Sequence, residues 1–562
     1  MSEFPQDPLA EVLLRAGIIG REQLETALAA RNSGLERLDE TITRLGLAGE
    51  EEIYSALARH MGLEYVSEIG RGVAPRLLAQ VPGEFAMRHQ VLPLREEDHT
   101  LVVAMANPFD VTVLDDLRLL TSRDVRAVVV SPRKLSEAIE QCYMEKMFRD
   151  IDDMRAEAVA EEDLEIADLQ KMAREALVIK LVNLIMHQAV QERASDIHIE
   201  PHERELRVRY RVDGVLHQAS SPPRHLHPAI ISRIKIMADM DIAERRLPQD
   251  GRVRIKLGER MVDLRVSTIP TLHGESVVIR LLDRSAGLMP LTDLGMREDT
   301  FAQFRRLISR PHGIILATGP TGSGKSTTLH AGLRQIYAPE KKIITIEDPV
   351  EYELPGANQI NVRPEIGLTF ASGLRHIVRQ DPDIIMVGEI RDRETADIAI
   401  HAALTGHLVF STVHTNDAAG AITRLLDMGI EPYLVASSLI GVVAQRLLRL
   451  LCPRCKTPFQ PTAEDLREVQ VAAQEGGALT LYRAGECDLC LNGYLGRTGI
   501  FELLPVDEAV QHQVLEKASS SEIKQRAMEQ GMRTLLADGR AKVLEGRTTI
   551  EELVRVCQRD EI

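Results

Sequence analysis

The most constraining feature of this chain is the octet Gly319-Pro320-Thr321-Gly322-Ser323-Gly324-Lys325-Ser326, set between the short apolar run Ile314-Ile315-Leu316 and the helix-compatible stretch Thr327 to Gln335. The pattern G-x-x-x-x-G-K-[ST] between a strand and a helix restricts the fold to an α/β sheet whose strand ends feed helix N-termini. The glycines let successive backbone N–H groups converge on phosphate oxygens, and Lys325 adds a point charge at the β and γ phosphates. The Ser326 hydroxyl suits Mg²⁺, so Gly319 to Thr327 is the expected nucleotide-binding segment, with ATP as substrate.

Two acidic positions follow at spacings suited to neighbouring strands of one sheet. Glu347-Asp348 comes after Ile343-Ile344-Thr345-Ile346, and Glu389 comes after Ile384-Ile385-Met386-Val387-Gly388. ATP hydrolysis needs one carboxylate to orient the attacking water and one to hold Mg²⁺, often through water. Glu347 and Glu389 suit these roles, and spacing leaves open which does which. His407 and His414 bracket the strand-like Leu408 to Thr412, where either can hydrogen-bond a γ-phosphate. Arg280 lies inside Val277-Val278-Ile279-Arg280-Leu281-Leu282, where burial demands an anionic partner, either a nearby Asp such as Asp283 or the triphosphate itself. Arg265, in Asp263-Leu264-Arg265-Val266-Ser267, alternates onto a polar strand face.

At 562 residues the chain exceeds what one core usually supports. Length and patterning together predict a multidomain α/β protein. Residues 1–66 carry an imperfect duplication at helical spacing, in which Leu9, Leu13, Gly17, Leu24 and Leu28 echo Leu38, Ile42, Gly46, Ile53 and Leu57. A small α/β unit is expected over 67–145, with strands at Val91 to Leu94 and Leu101 to Ala104. An acidic linker is expected over 146–175 (Asp150, Asp152, Asp153, Glu161, Glu162, Asp163). A second α/β domain follows over 176–285, then a loose connection at Ser285-Ala286-Gly287, and the nucleotide-binding domain over 293–445.

Cys452 and Cys455, then Cys487 and Cys490, make two C-x2-C knuckles over the predicted subdomain 446–500. Four thiolates form a closed tetrahedral Zn²⁺ shell with no position left for water, so the metal is expected to be structural. The span between the knuckles is expected to carry a helix over Ala463 to Gln474, and a helical segment is predicted over 501–562. A formal net charge of −16 argues against broad nucleic-acid binding, which requires a cationic surface. The start, Met1 to Gly17, has no basic segment followed by an uninterrupted apolar one. No apolar stretch is long enough for a membrane span, and a cytosolic location is expected.

These motifs together resemble the secretion ATPase superfamily, specifically the type II secretion ATPase family known as general secretory pathway protein E. The resemblance is carried by Ser195 to Pro201, Arg209 to Gly214, Gly319 to Thr327, Thr345 to Glu351, Arg379 to Asp392 and Thr405 to Asn416. It implies a RecA-like core with a preceding α/β domain, a helical N-terminal domain and a zinc-knuckle C-terminal subdomain. It places Glu347 in an aspartate box, Glu389 in a Walker B motif, and His407 and His414 in a histidine box. Arg265 and Arg280 fall at arginine positions of the second N-terminal domain, Arg375 and Arg379 at those of the motor domain. It further implies a homohexamer, ATP held between two domains of a subunit, and docking on an inner-membrane platform, so that contact with the membrane is indirect. The type IV pilus extension ATPase shares these motifs, and Leu426 to Tyr433 is more similar to the secretion branch. The duplicated N-terminal pattern resembles a cyclic-di-GMP-binding domain. Its usual Arg-Leu-Gly opening is replaced by Asp7-Pro8-Leu9-Ala10 and by Arg37-Leu38-Asp39, so no prediction of binding to that messenger follows from the resemblance.

Overall fold

The computed structural model describes residues 8–30, 37–67, 69, 73–139, 141–143, 146, 164–257, 260–283, 289–468, 479–487 and 490–557. The acidic residues Asp150 to Asp163 and the Ser285 to Gly287 connection lie outside them. The described chain divides into two compact units, residues 1–255 with 263–281, and residues 256–262 with 282–562.

In the first unit, four short helices (Pro8–Arg15, Arg21–Ala30, Leu38–Arg44, Glu50–Met61) realise the duplicated pattern. Leu13, Leu24, Ile42, Ile53 and Leu57 are buried together. Gly17 and Gly46, at matching points of the two repeats, share the same left-handed φ of +68°. Each ends its helix at a backbone conformation that residues with a Cβ rarely adopt. The departure at Arg37-Leu38-Asp39 has a structural use, since buried Asp39 accepts from Tyr54 Oη at 2.5 Å while Arg37 reaches both. Next comes a three-stranded sheet of β1 (Val91–Glu97), β2 (Thr100–Met105) and β3 (Asp124–Val129), with the helix Val111–Thr121 between the parallel β2 and β3.

The helix leading into the next sheet runs Leu164–Gln191. It therefore begins inside the stretch expected to be linker, because apolar residues continue helical spacing N-terminal to Leu177. That sheet has six strands, β4 (Asp196–Pro201), β5 (Leu206–Val212), β6 (Val215–Gln218), β7 (Gln249–Leu257), β8 (Arg260–Thr271) and β9 (Gly274–Asp283), in the order β6-β5-β4-β9-β8-β7.

The second unit is built on a seven-stranded sheet. Its members are β10 (Gly313–Thr318), β11 (Ile343–Glu347), β12 (Ala357–Asn361), β13 (Ile384–Val387), β14 (Leu408–Val413), β15 (Leu439–Leu451) and, after the short pair β16 (Thr457–Phe459) and β17 (Leu481–Arg483), β18 (Tyr494–Pro505). The order is β12-β11-β13-β14-β10-β15-β18, parallel except for the antiparallel edge strand β18. Strands buried on both faces read as continuous apolar runs, which is how β10, β13 and β14 read in the sequence. Alternate residues serve two cores. Ile314, Leu316, Ile346, Ile385 and Val409 face one, and Ile315, Ala317, Ile384, Met386 and Phe410 face the other.

The C-terminal part departs from the expected division. Strands β15 and β18 belong to the main sheet, so both overlap the range 446–500 expected for the cysteine subdomain, and the zinc knuckles lie between them. β18 runs to Pro505, inside the segment expected to be helical from 501. The helices Glu508–Leu515, Ser520–Glu529, Leu535–Leu544 and Ile550–Val556 bury Val510, Val514, Ile523, Leu536 and Leu553 in the motor core. The expected helix at Ala463 spans Ala463–Glu468, and 469–478 lie outside the described residues.

Candidate active site

Strand β10 ends at Thr318, and the loop Gly319 to Gly324 leads into the helix Lys325–Ile336 with Gly324 as its N-cap. Gly319, Gly322 and Gly324 take φ of +148°, +79° and +89°, so the loop is a left-handed path needing glycine. Close approach adds a second reason, since a Cβ at Gly319 would lie 2.6 Å from the Gln445 carbonyl and one at Gly324 would lie 2.7 Å from Gln445 Nε2. The floor under the loop is thus β15, next to β10 in the sheet. Gln445 Oε1 accepts from Thr328 Oγ1 at 2.7 Å, and Arg446 donates to the Gln445 and Asn416 carbonyls. Lys325 is buried, with Nζ donating to Gly319 O at 2.8 Å and Pro320 O at 3.0 Å. Burial pushes its pKa down to about 8, with Arg446 adding to the shift and the charge of Glu389 opposing it. A triphosphate at the N–H groups of this loop would supply a countercharge that opposes this downward shift and holds Lys325 as the ammonium.

The strand tips beside the loop carry the acidic groups. Because β11, β13, β14 and β10 are successive neighbours running parallel, Glu347, Glu389, His414 and Gly319 all emerge at one edge of the sheet. The Glu389 loop is pinned by Ser411 Oγ to Val387 O at 2.8 Å, Thr412 Oγ1 to Gly388 O at 2.7 Å and Ile390 N to Thr412 O at 2.9 Å. Glu389 Oε1 lies 2.5 Å from Arg391 Nη2, and Oε2 lies 3.3 Å from His414 Nε2.

Glu347 is only 4% exposed. Its Oε1 accepts from Thr345 Oγ1 at 2.6 Å and Gln359 Nε2 at 3.1 Å, and its Oε2 lies 3.2 Å from His330 Nε2. Burial alone would raise the carboxyl pKa, yet His330, Thr345 and Gln359 together hold it below the ordinary value. The same pairing raises His330 against the effect of its own burial. His330, Gln359 and Arg446 carry no motif signal, since a lone His on a helix, a Gln on a strand and an Arg in an apolar run read as structure.

Other expected site residues lie elsewhere. His407 precedes β14 at its N-terminal end, about 20 Å of strand from His414. Its Nδ1 donates to Ala402 O at 2.8 Å, closing the C-terminus of the helix Arg393–Leu404, so the two histidines do not meet at one phosphate. The reason is the parallel strand between them, which carries its ends to opposite edges of the sheet. Arg375, on the helix Phe370–Ile377, pairs with Glu394, and Arg379 is exposed in the turn that follows. Arg280 in β9 is half-exposed and not buried, because Val277, Ile279 and Leu281 point inward while Arg280 alternates outward. Its anion is Asp196, directly opposite on β4, with Nε donating to Oδ1 at 3.0 Å. Arg265 in β8 is half-buried on the side opposite the buried Leu264 and Val266.

The four cysteines converge. Cys452 and Cys455 follow β15, and Cys487 and Cys490 precede β18, with all four Sγ atoms within 4.8 Å of one another. The Sγ separations of 3.7 Å for Cys452–Cys487, 3.5 Å for Cys455–Cys490 and 3.4 Å for Cys487–Cys490 are near the edge of a tetrahedron with Zn–S bonds of about 2.3 Å, so the donor set fits zinc. Gly485 permits the fold here, because a Cβ would fall 1.9 Å from the Cys455 carbonyl.

The model of the type II/IV secretion system protein family matches residues 171–555, the sheet, the loop and the cysteines included. The chain belongs to that family. Like other members, it is an ATPase with a RecA-like core. An MshEN domain model matches residues 61–148, across the three-stranded sheet. Over 97% of its length the chain is 44% identical to the type IV pilus assembly ATPase PilB of Myxococcus xanthus (strain DK1622), covering 98% of that protein. It is 48% identical to type II secretion system protein E of Xanthomonas campestris pv. campestris, over 86% of each chain. It is 46% identical to type II secretion system ATPase E of Vibrio cholerae, over 86% of this chain and 97% of that one. Among solved structures, the Legionella pneumophila ATPase DotB shares the fold, with a TM-score of 0.50 and 20% identity over 67% of this chain and 94% of that chain. Among the described residues no helix is long and apolar enough to cross a membrane.

Proposed function

We propose that this secretion-family ATPase is a cytoplasmic motor that hydrolyses ATP to power type II protein secretion, driving pseudopilus assembly at the inner membrane. The observation that carries the reading is the alignment of Lys325, Glu347 and Glu389 at one edge of a parallel sheet, beside a glycine loop shaped for phosphate. The family relation to type II secretion E proteins supports the branch.

The loop N–H groups and Lys325 bind the β and γ phosphates. Glu389 is the carboxylate whose charge reaches Lys325, so with the Ser326 hydroxyl it is placed to hold Mg²⁺, a hard cation served by oxygen donors. That ion neutralises phosphate charge when bound. Glu347, held by two donors and faced by His330 in a buried pocket, orients the attacking water and accepts its proton. His414, bonded to Glu389, would hydrogen-bond the γ-phosphate of a bound nucleotide. The four cysteines hold a structural Zn²⁺. The working form is a homohexamer, docked on platform proteins at the inner membrane and free of nucleic acid.

A second reading, a type IV pilus assembly ATPase, is favoured by one observation: the PilB relative covers 97% of the chain, whereas the two type II relatives named above cover 86%. Phosphate release by the purified protein with MgATP tests the chemistry. Deletion in the native host tests the branch, because loss of exported proteins with pili intact supports secretion, and loss of pili with export intact supports the second reading.

A further inference from the structure

His330 lies one helical turn beyond the nucleotide loop and is completely buried, although it is not part of any recognised motif. Its two ring nitrogens face two parts of the site. Nδ1 is 2.8 Å from the backbone oxygen of Ser326, and Nε2 is 3.2 Å from Glu347 Oε2. A carbonyl oxygen only accepts, so Nδ1–H donates to it, whereas Nε2 meets the Glu347 carboxylate at ion-pair distance without hydrogen-bond alignment and has no other partner among the described residues. The ring is held from the side by Tyr352, edge-on with centroids 6.1 Å apart, and Glu351 adds its charge nearby. Thr345 and Gln359 occupy the other carboxylate oxygen. Gln359 is fixed in turn, donating to Tyr352 O at 2.9 Å and accepting from Leu354 N at 2.7 Å.

We infer that His330 is a positioning residue for hydrolysis, a rigid strut that ties the first turn of the phosphate-binding helix to Glu347 and aims its carboxylate at the attacking water. The inference rests on the assignment of Glu347 as the water-orienting group. Physically, Oε2 depends on the strut because Thr345 and Gln359 both engage Oε1, and the pocket is closed to water that would replace a missing donor. The strut also explains how the loop and a carboxylate two sheet positions away from β10's neighbour β14 keep one geometry, since β11 and β10 share no ladder. A phosphate-induced movement of the helix is transmitted to Glu347 through one side chain.

The test is a steady-state and binding comparison on the full-length oligomer with four variants: His330→Phe, His330→Gln, Glu347→Gln and the double variant His330→Phe/Glu347→Gln. Turnover is followed by phosphate release from radiolabelled ATP, MgATP-analogue affinity by fluorescence, and folding by thermal unfolding. The expected result is that His330→Phe lowers kcat by about tenfold or more with KM within about twofold, the signature of an interaction used in the transition state. His330→Gln, whose amide N–H reaches the Nε2 position, should recover most of that loss. Adding His330→Phe to Glu347→Gln should change the residual rate by less than about twofold, because the two residues act as one unit. If His330→Phe does not fold, His330→Met takes its place in the same comparison. Wild-type kcat in the folded apolar variant, a loss confined to KM, no recovery with Gln, or multiplicative losses in the double variant would each overturn the inference. Glu347→Gln distinguishes the two levels. If it turns over normally, the Glu347 assignment falls and takes the strut with it, whereas a dead Glu347→Gln beside an unaffected His330→Phe sinks the strut alone.

Discussion

Glu347 and Glu389 end neighbouring parallel strands, yet their surroundings differ in kind. Glu347 is 4% exposed, accepts from a hydroxyl and an amide, and is faced by an imidazole at 3.2 Å. Glu389 has a 14% exposed side chain and is held by Arg391 and His414, which are themselves largely in solvent. A carboxylate kept by short, buried donors has one orientation, which suits directing a water. A carboxylate kept by exposed side chains can release them and accept a metal or its waters instead. Two acidic residues that look equivalent in the sequence are thus separated by what surrounds them.

The largest expected effect comes from Lys325→Ala, which removes the cation that responds to Glu389 and should lower hydrolysis by about a thousandfold while the fold, judged by thermal unfolding, persists. Near-normal turnover would break the comparison at its base. Next, Glu347→Gln should cost about a hundred- to a thousandfold in kcat with little change in the Mg²⁺ concentration needed, whereas Glu389→Gln should shift that Mg²⁺ requirement upward as well. Titrations of rate against Mg²⁺ that move equally in both variants would erase the distinction.

Glu552 sharpens the comparison from outside the site. It is as buried as Glu347, and it is gripped by Arg449 and Arg555 at 2.9 and 2.6 Å, but no phosphate loop faces it. Glu552→Gln should therefore destabilise the protein by about 3 kcal/mol, read by denaturant unfolding, with kcat intact where the protein remains folded. Burial opposes ionisation of Glu552, but Arg555 and Arg449 prevail and hold its carboxyl below the ordinary 4.5. Its stabilisation is accordingly present above about pH 4.5 and is lost as pH falls through the lower folded-state value, a dependence the Gln variant should lack. Cys452→Ser belongs to the same class: metal analysis should show zinc lost, and unfolding should begin at lower temperature. The smallest effect is expected for Arg391→Ala, a few-fold in rate, because its guanidinium is mostly solvated.

Much of the site is legible from residue order. The loop glycines, Lys325, the strand-end position of both glutamates and the two cysteine knuckles all follow from short-range patterns. Strand and helix spacing around the loop matches β10 and the helix Lys325–Ile336. His407 illustrates the limit: the strand between it and His414 is legible in the sequence, but which end of that strand shares an edge with the loop depends on sheet direction. Arg280 illustrates another: an apolar run read as uniformly buried alternates in fact between a covered face and one open to Asp196. Strand β18 is a third case, joined to the motor sheet by pairing with β15 across the whole cysteine excursion.

The amino-acid order by itself determined the phosphate loop, because left-handed glycine conformations and a strand-to-helix transition are local properties of a few consecutive residues. It determined the cysteine ligand set in the same way, through paired thiols at fixed spacing. Only the tertiary structure decided which glutamate is sealed and which is open, that His330 and Gln359 close around the former, and that Gln445 floors the loop from a strand more than a hundred positions away. Those contacts depend on sheet order and on desolvation, and both arise only when segments distant in the chain pack against one another.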